Sequence, residues 1–219
     1  MSNKPQSDLS RVRRLPKRGH YDQETLYAIL DSAMVCHVGF NEGDQPVIIP
    51  TLVAREGNKL LLHGSSKSRM MQVAAAGKPI CITVTHFDGI VLARSAFHHS
   101  VNYRSAVFFG TCDPVTDYDE KMRALAAFTD KLIPGRWDDC RQPTPNEVKA
   151  TAVVAMEIGE ASAKIRAGGP GDDDEDYALP IWAGVLPITQ TVGEPIDDPL
   201  LREGIPVPEY VKDMVTAQS

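Results

Sequence analysis

A mainly β (β+α) protein is what this sequence predicts: an antiparallel, Greek-key-like barrel with two to four peripheral helices. Three observations lead there. Short apolar, β-branched runs recur along most of the chain. Gly-, Asn-, Asp- and Pro-containing turns separate them, and few stretches carry the 3.6-residue repeat of a helix. Strands joined by tight turns make meanders, whereas parallel sheets need a long crossover between neighbours.

The elements follow in order. Residues 1–13 are polar and read as a disordered arm, residues 14–190 as a single domain, and residues 191–219 as an extended, Pro-rich, acidic tail. Arg11, Arg13, Arg14, Lys17 and Arg18 form a basic segment that reads first as a solvated arm and second as a phosphate contact. Asp22 caps a helix running to Ala33, in which Leu26, Ile29, Leu30 and Ala33 give one buried face. The β pattern then starts. Residues 34–40 read as a strand, 41–44 as a hairpin turn, 46–55 as a second strand, 56–58 as a turn and 59–63 as a third strand. Pro50 removes a ladder donor and so marks an edge, a bulge or a ligand-facing break.

Residues 64–66 lead into a short helix with Met70, Met71, Val73 and Ala74 as apolar positions, ended by Gly77, Lys78 and Pro79. Residues 80–86 and 89–96 read as two strands around a Phe87-Asp88-Gly89 turn, and 104–112 as the next strand. Asp117 and Glu120 form the D-x-x-E start of a helix whose stripe is Met122, Leu125, Ala126 and Leu132. Residues 144–149 read as a helical turn and 151–158 as a strand. The acidic run 172–176 lies in a Gly/Pro-rich loop expected to stay solvated and unpacked, and 181–188 is a last apolar segment.

Composition excludes several classes. A net charge of −6 leaves no basic face for general nucleic-acid binding. No apolar run approaches membrane-spanning length, and the first twenty residues lack a hydrophobic signal core. Cys36, Cys81, Cys112 and Cys140 form no C-x-x-C, and three of them lie in apolar runs where a buried free thiol is expected, so cytoplasmic is the expected compartment.

Two stretches carry the chemistry. FHHSVNYRSAVFFG, residues 97–110, opens on His98 and His99, crosses Ser100, Asn102, Tyr103 and Arg104, and ends in the strand-like Val107, Phe108 and Phe109. Donors and one fixed cation at a strand mouth suit a flat, anionic ligand better than a nucleophile. HGSSKSRM, residues 63–70, takes a strand into a helix start. Its free N–H groups, three serine hydroxyls and two cations make a phosphate cradle; on the residues alone an ordinary capped helix reads equally well.

Together these stretches resemble the flavin-binding split-barrel family, the relatives of pyridoxamine 5′-phosphate oxidase, nearest the branch that includes nitroimidazole-resistance proteins. The likeness covers residues 14–187. It implies an FMN-binding split β-barrel, a homodimer, and FMN or FAD held at the subunit interface. It implies that Lys67, Ser68 and Arg69 hold the flavin phosphate, with His63 and Ser65 in the same cradle and Arg104 as a further partner. Pro50, Thr51 and Leu52 would offer backbone groups to the polar edge of the ring, with Asn102, Tyr103 and Ser105 near the same ligand. Trp182 would cover the ring from the partner subunit, although a lone Trp in an apolar segment reads more readily as core.

His37, His63, His86, His98 and His99 fall in or beside strands without H-E-x-x-H or an i, i+4 helical pair, so no metal site is expected. Adjacent strand residues face opposite ways, so only one of His98 and His99 can point at the ligand mouth. Some split-barrel relatives bind haem through an axial His, which keeps haem as a minor expectation with His98 or His99 as ligand. There is no G-x-S-x-G nucleophile elbow, and the acidic run lacks the Gly and distal Glu of an EF-hand loop. The function expected is a flavin-dependent oxidoreductase acting on a small flat organic substrate, with Tyr103 or His99 as weak candidates for proton donor. The alternative is a flavin- or haem-binding protein without turnover. No second phosphate cluster accompanies the acidic C-terminus, so oxidation of pyridoxamine phosphate itself is not expected.

Overall fold

In the computed structural model, which describes residues 4–216, the elements in chain order are β1 (Gly19–His20), α1 (Gln23–Ser32), β2 (Val35–Glu42), β3 (Gln45–Leu52), β4 (Ala54–Glu56) and β5 (Lys59–Ser65). Then come α2 (Arg69–Ala75), β6 (Ile80–Leu92), β7 (Ser100–Gly110), β8 (Asp113–Pro114), α3 (Tyr118–Leu132) and α4 (Pro145–Ala150). The chain ends with β9 (Thr151–Glu157), β10 (Glu160–Arg166), β11 (Gly184–Pro187) and α5 (Glu209–Thr216). Two antiparallel sheets form, one ordered β1-β10-β7-β6-β2-β3 with β11 added to β6, the other β4-β5-β9-β8. Strand alternation decides what lies between them: on β2, Cys36, Val38 and Phe40 are buried while Val35 and His37 face out. Phe108, Ile82, Leu60, Leu62 and Met156 join them in one core, closed on one side by Leu26, Ile29 and Leu30 of α1. Asp22 starts that helix as expected, its side chain accepting from the Thr25 amide at 2.8 Å.

Several sequence expectations need correction. The strand expected over 46–55 breaks at the buried Val53, so β3 stays in the larger sheet while β4 joins the smaller one. The Phe87-Asp88-Gly89 turn is instead a bulge inside the continuous strand β6, with Phe87 opposite Tyr103 and Gly89 opposite Asn102. Glycine serves close approach there: a Cβ on Gly89 would sit 3.0 Å from the Leu186 carbonyl of β11. The strand expected to begin at Arg104 begins at Ser100.

Strand β10 was not expected. Its centre, Ala161-Ser162-Ala163, has little β-propensity, and it is held by pairing with β7 and β1. The described part of the N-terminal arm touches the body, where Glu160 accepts from the Ser7 hydroxyl at 2.8 Å and the Ser10 amide at 3.2 Å. The outermost residues of arm and tail, 1–3 and 217–219, lie outside the described residues. All four cysteines are free thiols, and burial pushes those of Cys36 and Cys112 up to about 12. Among the described residues no helix is long and apolar enough to cross a membrane.

Candidate functional site

The cradle forms where β5 turns into α2. Ser65 pairs with Thr151, and Ser66 N–H donates to the Ala150 carbonyl at 3.0 Å. Ser68 N–H donates to the Ser65 carbonyl at 2.9 Å, and Lys67 N–H to the Ser65 hydroxyl at 3.2 Å. Ser68 is the N-cap of α2, but its side chain caps nothing, so the first-turn amides lack both an intrahelical and a side-chain acceptor. Arg69 leaves this turn to meet Glu42 at 2.8 Å, in an exposed pair. Gly64 lets the helix lie close, since a Cβ there would be 3.1 Å from Met71 Cγ. The uncapped amides, the Ser66 and Ser68 hydroxyls and the Lys67 and Arg69 side chains gather at one turn donors of the kind a phosphate group accepts from.

Leu52 and His63 line one cavity of about 430 Å³, so the strand expected to face the flavin ring and the strand leading into the cradle meet there. The His63 ring lies 4.1 Å from that of Phe128, and its Nδ1 is buried without a hydrogen-bond partner among the described residues. Burial lowers the His63 pKa and keeps the imidazole neutral.

The outer face of the larger sheet carries most of the other expected residues. Pro50 stands opposite His37, which stands opposite Thr83, and Thr83 opposite Val107. Ser105 lies between Thr85 and Lys164, donating to the Lys164 carbonyl at 3.3 Å, and Tyr103 lies between Phe87 and Arg166. Asn102 is turned to structural work. It is buried, donates to the Gly168 carbonyl at 3.1 Å, and accepts from the Arg166 guanidinium.

Arg104 does not join the cradle of its own chain. It makes a two-pronged pair with Asp88, at 3.0 Å from Nε and 2.8 Å from Nη2. Glu42, the partner of Arg69, lies beyond the Gly39–Cys81 pair, whereas Arg104 lies opposite His86. The strand between Cys81 and His86 spans roughly 17 Å, so Glu42 and Arg104 lie toward opposite ends of β6. Trp182 is 63% exposed, which corrects its reading as core.

His98 and His99 are both engaged. His98 Nε2 lies 3.3 Å from Asp173 Oδ2, and the potential ligand atoms of His98, Asp173 and Asp176 fall within 4.8 Å of one another. His99 Nδ1 accepts from the Ala93 amide at 3.0 Å, which leaves the ring proton on Nε2 and removes the lone pair an axial ligand needs. His37, by contrast, is exposed on the outer sheet face, and its ring makes no hydrogen bond among the described residues.

The acidic loop also needs correction, because Asp172 packs. Its side chain is fully buried and accepts from the Arg94 amide at 2.8 Å, the Ser95 amide at 3.1 Å and the Arg94 guanidinium at 3.1 Å. Burial alone would raise its pKa; the Ser95 amide and the Arg94 contacts outweigh that and lower it. The contribution of this contact is therefore complete above the ordinary carboxylate value of about 3.9 and is lost as pH falls through the lowered native pKa. Protection factors of the Arg94 and Ser95 amides, taken relative to the intrinsic exchange rate at each pH, are expected to fall as pH drops through the lowered native pKa, and to be lower in Asp172→Asn already at pH 7. Unchanged protection of the Arg94 and Ser95 amides in Asp172→Asn at pH 7 would refute this strap.

Two antiparallel sheets closed into a split barrel, with an uncapped Ser- and cation-rich turn at the rim, define a split-barrel protein of the pyridoxamine 5′-phosphate oxidase type. The family model for pyridoxamine 5′-phosphate oxidase matches residues 22–165, and the chain belongs to that family. It is similar to the flavocytochrome Anf3 from Azotobacter vinelandii, with 41% identity, coverage of 95% of this chain and 97% of that one, and a TM-score of 0.90. It is similar to the FAD and heme binding protein from Mycobacterium smegmatis at 38% identity, covering 90% and 97%, with a TM-score of 0.87. A putative 5-nitroimidazole antibiotic resistance protein from Bacteroides thetaiotaomicron shares the fold at 20% identity, 67% and 86% coverage and a TM-score of 0.56. No curated protein matches the chain.

Proposed function

We propose that this chain is a flavin- and haem-binding redox protein acting as a homodimer, with FAD the favoured flavin. The observation that carries the reading is its similarity, over nine-tenths or more of its length, to a flavocytochrome and to an FAD- and haem-binding protein. The cradle at Ser65, Lys67, Ser68 and Arg69 and its link through His63 to Leu52 support it. The flavin, when bound, supplies reversible electron or hydride chemistry to a small flat substrate. Lys67, Ser68 and Arg69 would hold its phosphate, and residues at the end of β3 would meet its ring and keep water away. Tyr103 and His99, whose Nε2 carries the ring proton while Nδ1 accepts from Ala93, are the candidates for proton donor.

The outer sheet face, with Val35 48%, Ile48 69% and Phe87 48% exposed, is the surface on which a second copy would sit. His37, unpaired on that face, is a better axial haem ligand than His98 or His99. A visible spectrum of the purified protein, followed by heat release and chromatography, tests the reading. Flavin bands, released FAD and a Soret band are expected. His37→Ala is expected to lose the Soret band and keep the flavin bands, with His98→Ala and His99→Ala retaining both. A colourless protein that takes up neither cofactor would overturn the proposal. Electron transfer to acceptors no faster than from free flavin would make it a carrier instead of an enzyme.

A further inference from the structure

The cavity shared by Leu52 and His63 extends away from the cradle to residues that the cofactor reading does not use. Phe128 of α3 and Trp137 and Arg141 of the α3–α4 connection form its other walls, and Glu147 of α4 closes the rim. Its volume of about 430 Å³ suits a molecule of one or two fused rings. Phe128, Trp137 and the His63 imidazole give it aromatic walls, against which flat rings stack or meet edge to face.

Its charge is the informative property. Arg141 and Glu147 are the residues lining it that carry a fixed charge, and each is consumed by the other. Arg141 Nη2 lies 2.8 Å from Glu147 Oε1 and Nη1 2.9 Å from Oε2, a two-pronged pair. Arg141 also donates to the Gln142 carbonyl at 3.0 Å, and Glu147 accepts from the Thr144 amide at 2.7 Å in the capping box of α4. The Arg141 guanidinium and the Thr144 contacts hold the Glu147 carboxyl down to about 2, so both members of the pair are charged at neutral pH. The His63 ring is neutral by burial. The pair is exposed, Arg141 at 68% and Glu147 at 50%, so an anionic ligand competes with Glu147 for the one cation and a cationic ligand with Arg141 for the one carboxylate, whereas a neutral ligand leaves the pair intact.

From these walls and this closed ion pair we infer that the cavity is the substrate site for an uncharged, flat aromatic molecule. The inference rests on the redox reading for the word substrate; the binding itself does not. The flavin ring would lie at the Leu52 side, and the neutral molecule between Phe128 and Trp137.

Trp137 and Trp182 are the two tryptophans of the chain, so Trp182→Phe makes Trp137 the sole reporter. Two probes with the same ring and different charge, 4-nitrobenzyl alcohol and 4-nitrobenzoate, are titrated against its fluorescence in the protein as purified. Saturable quenching is expected from the alcohol, with binding about tenfold or more weaker for the carboxylate. Glu147→Gln keeps an acceptor for the Thr144 amide but frees the Arg141 charge, and the order is expected to reverse in favour of 4-nitrobenzoate by about tenfold. Adding Arg141→Met should abolish that reversal, which a merely structural Glu147 would not produce. Purely linear quenching, equal affinity for the two probes, or an unchanged order in folded Glu147→Gln protein would overturn the inference. So would displacement of flavin by the alcohol, which would give the cavity to the cofactor. Saturable, charge-selective binding in a protein without flavin bands would leave the site standing and remove the redox reading instead.

Discussion

A protein carrying Lys67→Ala and Arg69→Ala together is expected to emerge without flavin, its dissociation constant raised about a hundredfold or more. Each cation would make a charge-assisted contact to the phosphate, and such contacts contribute about 1.5–3 kcal/mol apiece. The lower end applies, because Arg69 is about half exposed and already shared with Glu42. Two contacts of about 1.5 kcal/mol correspond to roughly a hundredfold in affinity. Neither side chain packs in the core, so the thermal midpoint of the cofactor-free protein should barely move. The contrast is Arg104→Ala, whose cation is committed to Asp88 and whose loss should change flavin affinity little. Recovery of flavin fluorescence on titration measures both variants. Wild-type affinity in the double variant would show that the phosphate sits elsewhere.

Phe108→Ala carries the largest expected effect on stability. Phe108 is 1% exposed at the middle of β7, opposite Ile82 of β6 and Ala161 of β10, and it reaches the one core that both sheets enclose. Removing a buried phenyl group costs about 3–5 kcal/mol when the cavity cannot collapse. The neighbours here are strands fixed on both sides, which leaves little room for collapse. For a chain of this size the thermal midpoint should fall by roughly 10 °C. A drop of less than about 2 °C in calorimetry would mean that the core closes over the gap.

Much of the barrel could be read from the residues because its strands alternate. Cys36, Val38 and Phe40 against Val35 and His37 is a pattern of two, and Leu26, Ile29 and Leu30 behind Asp22 is a helix with its cap. What escaped depends on partners far away in the chain. Ala161-Ser162-Ala163 looks like nothing in particular until β7 and β1 lie on either side of it. Phe87-Asp88-Gly89 has the composition of a turn, and only the approach of β11 shows why glycine is there. The strand-to-helix turn at residues 63–70 was legible because its serines and cations lie close together in sequence. The cavity beside it was not, since Leu52, His63, Phe128 and Arg141 come from four separate parts of the chain. The T-x-x-E spacing at Thr144 and Glu147 was a local signal available for one of its walls.

The pairing of Gly19 and His20 with Lys164 and Ala163 fixes when this protein can finish folding. The first strand to leave the ribosome has its partner among the last of the barrel, and β5 likewise waits for β9. At ordinary rates of synthesis that interval is roughly ten to thirty seconds, during which the β2–β3 hairpin and β6, which pairs with β2, can form a three-stranded sheet with its apolar inner face uncovered. Such a high contact order favours slow closure. A nascent chain of this design spends that time exposed to aggregation and within reach of chaperones, and the turn after Ser65 gains its neighbour only when β9 has arrived beside it.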